Sequence, residues 1–249
     1  MSGTTPSARV RSTPPPVPLS EPVDPFELYA EGLSGRRLFV RRAGGERRLL
    51  PVPRWVGDLQ EGDAELLARC TGPTLDVGCG PGRLAAALRR RGVPSLGIDV
   101  SRAALEQARA AGAHVLERDV FEAVPAGGTY SRLLLADGNV GIGGDPTRLL
   151  RRCGELLAPR GLALVELSPT QRDRAVGWPV RTTVRLEDDA GRVSSWFPWA
   201  EPDAADLAEH ARRAGLHVVG AWTAAGRAFS VLAADPVAED PGPVPTTGS

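Results

Sequence analysis

The chain has 249 residues, 42% hydrophobic and 24% charged, which suits one α/β domain with additions, or at most two small domains, and a substantial buried core. Lys plus Arg and Asp plus Glu number 30 each, so no overall field gathers nucleic acid or an anionic membrane surface. Every basic residue is Arg, which excludes mechanisms built on a lysine base or Schiff base, and no apolar run is long enough to span a bilayer.

In chain order, residues 1–24 are rich in proline, from Pro6 to Pro22, and poor in large apolar side chains. They are expected to be a disordered tail, and Met1 to Glu21 lacks the apolar stretch of a secretory signal. Residues 25–57 are expected to form an N-terminal cap. Within it Arg37–Arg41 is β-prone, Ala43-Gly44-Gly45 can turn and Arg48–Val52 returns. Asp58–Arg69 fits a helix with Leu59, Leu66 and Leu67 inward.

From there strands and helices alternate. A strand at 73–77 leads to a helix at 82–91, and a strand at 95–99 to a helix at Arg102–Ala111 capped by Ser101. A strand at 114–118 follows. The strand at 131–136 is apolar through its centre, as one buried on both faces should be. A helix begins at Pro146 behind Asp145, and Gly161 opens a strand to Leu167. Five such repeats predict a doubly wound, mostly parallel sheet with helices on both sides. Residues 180–199 read as an inserted hairpin: Val180–Leu186, a turn at Asp189-Ala190-Gly191, then Arg192–Trp199. A helix at Asp203–Ala214 follows, then a closing hairpin of Leu216–Thr223 and Ala228–Ala233. Residues 236–249 are expected to be a second loose tail. Cys70, Cys79 and Cys153 are sparse and form no paired spacing, which fits a reducing cytoplasm and no metal site.

Residues 75–84 are the most informative run. The strand end Leu75-Asp76-Val77 passes into Gly78, Cys79, Gly80, Pro81 and Gly82, and a helix begins behind them. Alternate glycines let a ligand approach bare peptide N–H groups at a helix N-terminus. A carboxylate ahead of them would repel pyrophosphate and attract a cation. This run resembles the acidic-x-Gly-x-Gly-x-Gly motif of class I S-adenosylmethionine-dependent methyltransferases, and the resemblance extends more loosely over residues 58–235. It implies a seven-stranded sheet of order 3-2-1-4-5-7-6 ending in an antiparallel hairpin, and S-adenosylmethionine as cofactor. It further implies that Asp76, with Gly78, Cys79, Gly80 and Gly82, holds the methionine part. Asp99, followed by Val100, would accept the ribose hydroxyls, a geometry shared with NAD sites. Asp119 would accept the adenine amine and the Val120 N–H would meet a ring nitrogen, while the backbone at Asp137 would lie against the methionine portion.

Gly80-Pro81-Gly82-Arg83-Leu84-Ala85 also matches Gly-x-Gly-x-x-Ala, so an NAD(P)-dependent oxidoreductase stays open as an alternative, disfavoured by Asp76 and Pro81. A catalytically silent nucleotide-binding partner subunit is the other. Methyl transfer needs a base only if the nucleophile must lose a proton. Asp137 and Glu166, at neighbouring strand ends, are the candidates for that role, and Asn139 could hydrogen-bond a substrate. The inserted hairpin, with Trp196, Phe197 and Trp199, Trp178 before it and Arg181, Arg185 and Arg192 among them, would wall an aromatic or anionic small molecule or simply pack on the domain. The N-terminal segment, with Phe26, Tyr29 and the Arg41, Arg42, Arg47 and Arg48 cluster, is expected to form a lid; the cluster lacks stacking aromatics beyond Phe39, which argues for a solvated hairpin over an RNA site.

Overall fold

The computed structural model describes residues 21–167 and 181–234. Asp24 accepts a hydrogen bond from the Phe26 N–H at 2.7 Å and Pro25 takes the first helical position, which starts α1 (Pro25–Leu33). β1 (Leu38–Arg42) and β2 (Arg47–Leu49) form the expected hairpin, and α2 (Asp63–Ala68) follows. The alternating region is β3 (Thr74–Val77), α3 (Arg83–Arg90), β4 (Ser95–Asp99), α4 (Arg102–Ala110), β5 (Val115–Glu117), β6 (Tyr130–Leu135), α5 (Pro146–Leu156) and β7 (Leu157–Leu167). After it come β8 (Arg181–Asp188), β9 (Phe197–Ala200), α6 (Ala204–Arg213), β10 (Leu216–Ala224) and β11 (Arg227–Ala234).

The large sheet has the order β5-β4-β3-β6-β7-β11-β10. Counted from β3, this is the expected 3-2-1-4-5-7-6. The first five strands are parallel, and β11 runs antiparallel to both β7 and β10. Side chains of β6 show why both faces must be covered. Leu133 and Leu135 pack with Leu149, Leu150 and Cys153 of α5 and with Leu207 of α6. Leu134 packs the other way, with Leu66 and Leu67 of α2 and Leu84 and Leu88 of α3. The period-two alternation of a strand thus divides the core into two layers.

Several details differ from the sequence expectation; β7, for one, begins at Leu157 and not at Gly161. The helix expected over Asp58–Arg69 starts only at Asp63. Gly62 is left-handed at φ +89° and the Asp63 carboxylate accepts from the Gln60 N–H at 2.7 Å, so 58–62 turn instead of coiling, and Leu59 is exposed. The second strand of the inserted hairpin starts at Phe197 instead of Arg192. Asp188 and Arg192 close the turn, Val193 and Ser194 keep a short bridge to Glu187 and Leu186, and Ser194 also bridges Val23. Of the expected tail, residues 21–24 are therefore described, and bridge and cap their neighbours. Finally, the N-terminal and inserted hairpins are one structure. β1 pairs β8 along Leu38↔Asp188 to Arg42↔Val184, giving an antiparallel sheet of order β2-β1-β8-β9. Trp178 and Val180 lie outside the described residues, as do positions 1–20 and 235–249. No helix among the described residues is long and apolar enough to cross a membrane.

Candidate active site

The ends of β3, β4, β6 and β7 open into one cavity of about 770 Å³, covered by α1 and the four-stranded sheet. That volume falls within the range of small-molecule sites. The predicted residues Asp76, Gly78, Cys79, Gly80, Asp99, Val100, Asp119, Val120, Asp137 and Glu166 all line it. Gly82 is not among the lining residues. At φ +85° it lies against helix α4, where an added Cβ would come within 2.9 Å of the Ala108 Cα. Its bare backbone serves helix packing instead of ligand approach.

The N–H groups of the glycine loop are taken up within the protein, so a ligand there would meet bare backbone and not the free N–H donors expected from the sequence. The N–H groups of Gly78 and Cys79 donate to the Ile98 carbonyl at 2.8 and 3.0 Å, and the Gly80 N–H donates to Asp99 at 2.8 Å. The other Asp99 oxygen accepts from the Ser101 N–H at 2.8 Å. Asn139 donates from its amide to the carbonyls of Val77 and Gly78 at 3.0 and 2.8 Å, which stitches the loop after β6 to the loop after β3. Asp119 uses one oxygen for the Phe121 N–H at 2.9 Å and is otherwise exposed.

Three carboxylates from three strand ends sit within this apolar enclosure. Burial drives the Asp76 carboxyl up to about 7, helped by the charges of Asp137 and Asp99 and opposed by the Ala85 N–H. Burial also raises Asp99, against the N–H bonds of Ser101 and Gly80. It raises Asp137 too, with Arg83 opposing and Glu166 adding repulsion. Tyr29 of α1 faces the same loop. Its hydroxyl would lie 3.4 Å from a Cβ on Gly80, and burial first, then the Asp99 charge, hold its proton well above the ordinary phenol range. The site thus gathers carboxyls whose ionised forms are short of solvation, and a cationic ligand beside them would favour their charge.

A carboxyl whose folded pKa lies above its unfolded value binds more protons folded than unfolded, so stability falls as pH rises through that window. For Asp76 the window runs from the ordinary carboxylate range to about 7, with a slope of up to about 1.4 kcal/mol per pH unit. Asp76→Asn should remove this slope, so that thermal melts find the variant more stable than wild type at pH 8 but not at the acid end. Parallel curves for the two proteins would show that Asp76 ionises normally.

Several site residues escaped sequence reasoning. Arg83, the first residue of α3, contacts Asp63 and donates to Asp137 at 2.6 Å. Arg227, the first residue of β11, donates to both oxygens of Glu166 at 2.8 Å and to Asp63 at 2.7 Å. Glu166 also accepts from the Asp137 N–H at 2.8 Å. Asp24-Pro25, a cap followed by proline, marks the start of α1, whose Phe26 and Tyr29 line the cavity as the lid reading of the N-terminal segment expects. Of the hairpin aromatics, Phe197 and Trp199 reach the cavity. Trp196 is exposed beneath the Arg185 guanidinium, and Arg192 is paired with Glu31 and Asp188. The roof is mainly apolar: Val40 lies opposite Leu186 and Val184 opposite Phe197, with Arg48 and its partner Glu201 at one end.

Residues 57–221 match a family model described as a methyltransferase domain. No curated protein sequence matches the chain. Among solved structures, a S-adenosylmethionine-dependent methyltransferase from Bacteroides fragilis, in complex with S-adenosyl-L-homocysteine, aligns at a TM-score of 0.70 with 22% identity. The alignment covers 85% of this chain and 94% of that one. The CcbJ methyltransferase of Streptomyces caelestis aligns at 0.53 with 21% identity, over 69% and 88% of the two chains. CalS10, an amino pentose methyltransferase from Micromonospora echinaspora with S-adenosylmethionine bound, aligns at 0.53 with 18% identity, over 73% and 94%. At these identities the structural matches establish a shared fold.

Proposed function

The chain belongs to the methyltransferase-domain family, and from that premise we propose that it transfers the methyl group of S-adenosylmethionine to a small, largely apolar organic molecule. One observation carries the proposal. A bare-backbone loop and the carboxylates of Asp76, Asp99 and Asp137 meet in a cavity whose opposite wall is apolar and aromatic. The bound cofactor would supply a sulfonium methyl with a neutral leaving group.

Each lining residue has a matching task. Asp99 already accepts two backbone N–H bonds and presents its carboxylate at the end of β4, where it would receive the ribose hydroxyls. Asp76 and Asp137, both short of solvation, would face the ammonium and sulfonium charges. Asp119 and the Val120 N–H would receive the adenine edge. Tyr29, Trp55, Phe197 and Trp199 would exclude water around the acceptor, and holding nucleophile, methyl carbon and sulfur in line in a dry cavity is the main contribution such an enzyme makes. Asp137 is the carboxylate nearest to serving as a base if the acceptor must lose a proton.

S-adenosylhomocysteine is expected to raise the melting temperature of the full chain, while NAD(P) leaves it unchanged. Incubation with a labelled methyl donor and a panel of aromatic hydroxy and amino compounds should then label an acceptor. Stabilisation by NAD(P) alone would restore the oxidoreductase reading, and cofactor binding without transfer to any acceptor would favour a silent partner subunit.

A further inference from the structure

Five buried or half-buried charges form a closed circuit beneath the cavity floor. Asp63 at the start of α2 binds both Arg83 and Arg227. Arg83 binds the Asp137 carboxylate, Arg227 grips both oxygens of Glu166, and Glu166 accepts the Asp137 N–H. Asp137 is therefore held twice, by its side chain from α3 and by its peptide from β7.

What is held is an uncommon conformation. Asp137 has φ +53° and Gly138 follows at +86°, two consecutive left-handed residues. Glycine adopts this freely and aspartate only at some cost, so contacts that grip the Asp137 peptide favour it. The turn it creates carries Asn139 back to the glycine loop. A general base needs an oxygen free to face the substrate. Glu166 has only 3% exposure, and both its oxygens are taken by a guanidinium, one of them by a peptide N–H as well.

We infer that Glu166 and Arg227 are positioning residues, in which the closing hairpin fixes Glu166 so that Glu166 fixes the left-handed peptide of Asp137 at the cofactor's methionine end. This rests on the methyltransferase reading of the cavity. It assigns Glu166 no part in proton transfer. It also gives Arg227, on a hairpin that contributes no loop glycine and none of the three strand-end carboxylates, a share in forming the site.

Glutamine at 166 keeps an oxygen for the Asp137 N–H but cannot be a base, and alanine keeps neither. Glu166→Gln should hold S-adenosylhomocysteine within about 3-fold of wild type in calorimetry, while Glu166→Ala should lose about 10–100-fold, as for a displaced site group. Exchange of the Asp137 amide hydrogen should stay slow in the Gln variant and become fast in the Ala variant. Because glycine needs no support at φ +53°, the Glu166→Ala loss should shrink to about 3-fold or less in an Asp137→Gly background. The inference is overturned if folded Glu166→Gln loses as much affinity as the Ala variant, or if Glu166→Ala binds like wild type. It also falls if the loss is undiminished beside Asp137→Gly. Should Glu166→Ala fail to fold, the Gln variant's affinity and amide exchange decide alone. If wild type itself does not bind S-adenosylhomocysteine, the functional reading fails, whereas amide exchange in the ligand-free proteins still tests the positioning.

Discussion

Asp99→Ala is expected to weaken S-adenosylhomocysteine binding by at least about 100-fold, about 2.7 kcal/mol, which is the order of losing two charge-assisted hydrogen bonds to ribose hydroxyls. The substitution also frees the N–H groups of Gly80 and Ser101 that Asp99 now accepts, so the glycine loop loses an anchor as well as a ligand contact. Asp99→Asn separates the two contributions, because its amide oxygen still accepts one N–H while the negative charge is gone. Calorimetry that finds wild-type affinity in Asp99→Ala would mean that the ligand does not place its ribose at the end of β4.

Asp63→Ala should cost about 3–5 kcal/mol of folding stability, because it leaves two guanidiniums buried with a missing counter-charge. Arg83 and Arg227 are 3% and 4% exposed at the side chain and Asp63 is 0%, so water cannot readily replace the lost partner. For a domain of this size that corresponds to a melting temperature lower by roughly 10 °C. Asp63→Asn should fall between, since it keeps the volume and one acceptor. A melting temperature for Asp63→Ala within 2 °C of wild type, on the order of 1 kcal/mol or less, would show that the circuit contributes little to the fold. The loss should exceed that of breaking a surface pair such as Arg212 with Glu209, which solvent screens.

The two expectations differ in what made them visible. Asp99 stands out in the chain because a short apolar strand ends on an acid and a capped helix follows; these are nearest-neighbour relations. The same is true of Asp76 with its glycines and of the order of strands and helices from 74 to 167. Asp63 could not be singled out. It reads as an ordinary surface acid in a helix, and its partners are 20 and 164 residues away. The sheet of β2-β1-β8-β9 was hidden for the same reason. Each hairpin was legible from its turn, but Val40 finds Leu186 only 146 positions further along the chain. Apolar spacing extends the expected helix back to Asp58, whereas the left-handed Gly62 starts it at Asp63.

The sequence alone determined the α/β class, the glycine loop and the strand-end carboxylates, because these follow from local periodicity, backbone freedom and the charge of adjacent residues. Tertiary structure decided which acids are buried, that Glu166 is spent on Arg227 and the Asp137 peptide, and that two distant hairpins together roof the cavity. Burial and ion pairing are properties of the space between elements, and desolvation there changes a carboxylate's chemistry without changing a letter of its neighbourhood in the chain.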